Sequence, residues 1–126
     1  MNHNDAAAAY RNATFDNAPP IKILHMLFEG AIRFLKHARE QPPGSEEYRK
    51  YLRRADEIVT ELRTSLDHEP SPELSANLEN LYVFMTGELA RAHVEGEVEA
   101  IDPCIGILET LLEGWKQAQV QLSGGQ

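Results

Sequence analysis

PPIKILHMLFEGAIRFLKHA, residues 19–38, reads as one long helix. Leu24, Leu27, Phe28, Ala31, Leu35 and Ala38 fall at spacings of three and four and make one apolar stripe. Ile23, Met26, Gly30 and Phe34 make a second stripe on another face. A helix of a small bundle needs only one such stripe, so the second implies either a central position or a partner still to come. Pro19 and Pro20 suit the opening turn, where the missing N–H costs nothing, with Asp16 or Asn17 as cap.

Three further helical patterns follow, each set off by punctuation. Gln41-Pro42-Pro43-Gly44 ends the first, and Ser45 caps a second with Glu46 and Glu47 at its positive end. Its stripe is Tyr48, Tyr51 or Leu52, Ala55, Ile58, Val59, Leu62 and Leu66. After Asp67-His68-Glu69-Pro70, Ser71 and Pro72 open a third, burying Leu74, Leu78, Leu81, Tyr82, Met85, Leu89 and Ala92. Val83, Phe84 and Ala90 stand outside that stripe. Gly96 suits a left-handed position just past the helix end. The fourth uses Ile101, Cys104 or Ile105, Leu108, Leu111, Leu112, Trp115 and Ala118. Pro103 leaves two starts open, at Asp102 or near Glu97 with a distortion, and the second is favoured.

Short connections make neighbouring helices antiparallel. The expected fold is therefore all-α, an antiparallel four-helix bundle over residues 19–122 with room for a short fifth helix near the N-terminus. Residues 1–18 read as a flexible leader and cap, and residues 123–126 as a frayed tail.

Chain chemistry excludes several classes. Twenty acids against 12 Lys plus Arg give a formal charge of −8, which repels nucleic-acid backbones. The nearest basic cluster, Arg49-Lys50 with Arg53-Arg54, reads as solvated helix surface. None of the five histidines follows a glutamate by three residues or another histidine by four, so no metal-binding helix motif is present. Cys104 lies on an apolar stripe and reads as an inert buried thiol. No phosphate cradle, nucleophile elbow or dinucleotide fingerprint occurs, so the chain does not read as an enzyme and calls for no cofactor. No apolar run reaches membrane-spanning length and no secretory signal opens the chain, which places it in the cytosol.

The run Ile23-Leu24-His25-Met26-Leu27-Phe28-Glu29-Gly30-Ala31-Ile32-Arg33-Phe34-Leu35 resembles the L-x-x-M-L-Y-[DE]-G-A-I-x-F-L signature of flagellar export chaperones of the FliS type. Similar segments follow in order at Ala55–Leu62, Ser65–Asp67, Asn77–Met85 and Leu108–Trp115. The resemblance spans Tyr10 to Trp115, with departures at His25, Phe28, His93 and Pro103. It implies a cytosolic bundle that binds the disordered C-terminal segment of flagellin in an apolar groove, prevents premature polymerisation and is presented to the export gate as a complex. Tyr10 matches an N-terminal tyrosine that packs over the client surface, with Phe15 as a second anchor. Pattern and family position together nominate Tyr10, Ile23, Leu24, Leu27, Phe28, Leu81, Tyr82, Met85 and Leu89 as the groove. The competing reading is a structural or scaffolding bundle that homodimerises through its extra apolar face, so the expected assembly is a monomer or weak homodimer.

Overall fold

Glycine, proline and serine set the breaks between helices. Gly44 and Gly96 adopt φ of 80° and 69°, left-handed backbone in which a Cβ is strained. The computed structural model describes the backbone of residues 20–124 and the side chains of residues 21–117. Within it, α1 spans Pro20–Arg39, α2 Glu46–Thr64, α3 Pro72–Val94 and α4 Ile101–Gly124, with a 3-10 turn at Val98–Ala100. No strand occurs among the described residues. The leader, Tyr10, the proposed Asp16 or Asn17 cap and any fifth helix lie outside them.

Ser45 caps α2 as expected, its Oγ accepting the Tyr48 N–H at 3.2 Å. Ser71 takes the N-cap position of α3 but offers no side-chain bond, while Ser75 Oγ donates back to Ser71 O at 2.9 Å. Gly96 sits where the sequence puts it, one residue past the C-cap Glu95. The fourth helical element starts near Glu97, its N-cap, with a distortion, as the favoured reading has it. Helical backbone begins at Val98, but as a tight 3-10 turn, and the α-helix opens only at Ile101. Pro103 therefore falls in the first turn of α4, where it displaces no hydrogen bond and no kink is required.

Each of α1 and α3 packs against both α2 and α4, giving a square bundle with α1 and α3 on a diagonal. Phe28, Leu35, Tyr48, Leu52, Val59, Leu62, Tyr82, Met85, Ile101 and Leu108 fill the centre. The Tyr48 hydroxyl donates to Ala92 O at 2.7 Å, tying the start of α2 to the end of α3. The second stripe of α1 proves mostly internal. Gly30 lets α2 come close, since a Cβ there would stand 3.4 Å from Ile58 Cδ1, and Phe34 stacks on Tyr51 with centroids 6.1 Å apart. Ile23 and Phe34 are half-buried, and Met26 is 60% exposed. No described helix is long and apolar enough to cross a membrane.

Candidate functional site

The four seams between helices differ in chemistry. Along α1 and α4, Lys116 pairs with Glu29, Lys36 with Glu109, and Arg39 with Asp102, so acids and bases alternate over the outer edge. Between α2 and α3, Arg63 and His68 both approach Glu79. The α1–α2 seam carries the Phe34–Tyr51 stack and its surrounding cations. Among the described residues no ion pair crosses from α3 to α4.

That fourth seam is apolar because two charge-free segments, residues 80–87 and 103–108, run side by side. Cys104 Sγ lies 3.7 Å from Met85 O, which fixes their antiparallel register. Leu81, Pro103, Gly106, Ile107, Thr110 and Leu111 line an open trough of about 450 Å³. Gly106 keeps it open, with nothing within 4 Å of where its Cβ would be. One turn along, Trp115 leads into a second pocket of about 230 Å³ at the bundle end, walled by Leu24, Leu66, Leu74, Leu78 and Tyr82. From Pro103 to Trp115 the track runs roughly 18 Å, at about 1.5 Å per residue. Phe84 and Leu74, 47% and 49% exposed, extend its α3 side.

Ser65, Asp67, Ser71 and Ser75 also line the end pocket. Trp115 Nε1, in that pocket, is buried with no hydrogen-bond partner among the described residues. An entering chain that offered a carbonyl oxygen could satisfy that N–H. Burial pushes the Cys104 thiol up to about 12, with Glu88 adding to the effect, so it stays protonated. Among the described residues no group of three His, Cys, Asp or Glu side chains could hold a metal ion.

The residues nominated from sequence do not form one groove. Leu81 lines the trough, and Leu24 and Tyr82 line the end pocket. Phe28 and Met85 are fully enclosed, and Leu89 nearly so, which places them in the core behind the surface. Ile23 and Leu27 are half-buried and share the flank of α1 that carries Gly30 and Phe34, toward α2. Not among the nominated residues are those of α4 that line the two pockets: Pro103, Gly106, Ile107, Thr110, Leu111 and Trp115. The signal was the uncharged run 103–108 with a glycine inside a helix, matched by uncharged 80–87.

Comparison with known proteins gives a consistent result. The family described as "Flagellar protein FliS" matches residues 2–122. The chain is 31% identical over 110 residues to the flagellar secretion chaperone FliS of Salmonella typhimurium, covering 85% of this chain and 82% of that protein. It is 31% identical over 119 residues to the flagellar secretion chaperone FliS of Campylobacter jejuni, covering 93% of each. The FliS chaperone of Bacillus subtilis is 27% identical over 112 residues, 87% of this chain and 83% of its own length.

Proposed function

The chain belongs to the FliS family, and from that premise we propose that it is a cytoplasmic flagellar secretion chaperone whose client is the C-terminal segment of flagellin. The client lies along the track between α3 and α4. The observation that carries this placement is the uncharged, open α3–α4 seam in a molecule of net charge −8. A disordered client loses conformational entropy when it binds, and a long apolar surface with many modest contacts offsets that cost. An amphipathic client helix would set its apolar face against Leu81, Phe84, Ile107 and Leu111, the helix-in-groove mode of recognition. No bond is made or broken, so the role needs neither an enzyme's site nor a cofactor. Masked in this way, flagellin stays unpolymerised, and the complex is what the export gate receives.

Leu24, Leu81 and Tyr82 remain in the proposed client surface, while Phe28, Met85 and Leu89 brace it from behind. Tyr10 and Phe15 act as a cover that the client displaces. Deleting residues 1–15 should then raise flagellin affinity several-fold by titration, and an unchanged affinity would remove the cover from the account. Calorimetric titration with the cognate flagellin C-terminal segment tests the main reading. Expected are saturable binding, a negative heat-capacity change and a gain of helix by circular dichroism. Absence of binding by folded protein, with a dimer by light scattering, would favour the homodimer instead.

A further inference from the structure

We propose that Trp115 is the polar anchor of the client site. Its indole N–H takes a free carbonyl at the C-terminal end of the client helix and so fixes the direction in which that helix lies. The inference rests on the client reading above and adds to it a polarity and an end point. Leu24 of α1, Leu62 of α2, Leu74 and Leu78 of α3 and Trp115 of α4 all line the pocket concerned, so the four helices meet there.

Other polar groups on its wall already have partners. Ser65 Oγ donates to Leu62 O at 3.1 Å, and Ser75 Oγ to Ser71 O at 2.9 Å. Asp67 Oδ1 accepts the Glu69 N–H at 3.1 Å from an exposed position. Trp115 Nε1 differs, being enclosed with no acceptor among the described residues. Buried donors are nearly always paired, so an N–H left alone beside an open pocket marks a place for an incoming acceptor.

The surroundings select that acceptor. An indole N–H only donates, so a cation or a purely apolar group offers it nothing. A carboxylate would lose its water among leucines, in a molecule of net charge −8. A side-chain amide would bring an NH2 group that the leucines leave unpaired. A backbone carbonyl has neither drawback. Within a helix the carbonyls are bonded four residues on, and only the last four are free. A helix therefore presents this acceptor at its C-terminal end. Reversed, it would set its own free N–H groups against a donor. Asp67 and Glu73 stand exposed at this end of the bundle, where water screens their charge, so the buried donor decides the direction.

Reach agrees with this placement. The track of about 18 Å holds roughly three helical turns. Leu74, the most exposed of the leucines on this pocket at 49%, has least packing to lose when the client's end enters. The client helix then runs parallel to α4 and antiparallel to α3, with its last turn at Trp115.

The chain has a single tryptophan, so its indole N–H gives one NMR signal. On titration with the flagellin C-terminal segment that signal should move downfield, as a new hydrogen bond requires. A nitroxide at the C-terminal end of the bound helix should broaden it more than one at the N-terminal end. Trp115→benzothienylalanine, made in a tryptophan auxotroph, keeps the ring's shape and removes only the N–H. That variant should bind the segment about fivefold more weakly, yet melt no lower than the natural chain, since an unpaired buried donor has gone. An unmoved indole signal in the saturated complex would overturn the proposal. So would equal affinity of the two proteins, or equal or stronger broadening from the N-terminal label. A natural chain that fails to bind the segment removes the client reading and the anchor with it, whereas binding with a silent indole removes the anchor alone.

Discussion

Phe84 is the side chain on which recognition can be tested with least damage to the fold. It is 47% exposed on α3 and contributes little to the core, so Phe84→Asp should change stability by no more than about 0.5 kcal/mol. The same change puts a charge beside the apolar track and should weaken flagellin binding at least about tenfold by calorimetry. Tyr48 is the contrasting case, fully buried with its hydroxyl on Ala92 O. Tyr48→Phe leaves that carbonyl unpaired and should cost about 1–2 kcal/mol in urea unfolding, with flagellin affinity unchanged. Burial, aided by Glu99, raises the Tyr48 pKa above 10.0, and burial raises that of Tyr82 further. Cys104 is raised from 9.0 to about 12. All three are neutral when protonated, and the unfolded chain gives up these protons first. Stability should therefore hold below about pH 9 and fall as pH rises through the unfolded and then the folded values. Urea midpoints measured between neutral pH and about pH 10.5 would show this decline, and a flat profile would contradict the burial of these groups.

Caps and turns carried the clearest sequence signals among the helices. Ser45 followed by two glutamates marks the start of α2, and Ser45→Ala should cost about 1 kcal/mol because the Tyr48 N–H loses its acceptor. Gly96, left-handed at the end of α3, was readable from position alone. The start of α4 was less so, because a 3-10 turn and an α-helix share the same local spacing over three residues. The two readings of the extra apolar surface of α1 could not be separated from sequence for a different reason. Periodicity counts apolar positions but not neighbours, and a helix between two partners uses a wider face than a peripheral one. Gly30 and Phe34 spend that face on α2. On α3 the opposite holds, since Val83 and Phe84 stay 43% and 47% exposed.

For the bundle as a whole, sequence spacing was enough to give four antiparallel helices, because every stripe closes on one core. Which seam stays open depends on pairings between helices far apart in sequence, such as Lys36 with Glu109, and no local pattern reveals them. The result is an asymmetric molecule. One side is edged by exposed ion pairs worth about 0.2–1 kcal/mol each, and among the described residues none crosses the α3–α4 seam, whose trough is lined without charged side chains. That asymmetry is the central claim, and methyl NMR of the chain titrated with the flagellin C-terminal segment tests it most directly. The account predicts large shifts at Leu81, Ile107 and Leu111, with Ile23 and Leu27 on the α2 flank of α1 nearly still. Shifts concentrated at Ile23 and Leu27, with Leu81, Ile107 and Leu111 unmoved, would contradict it.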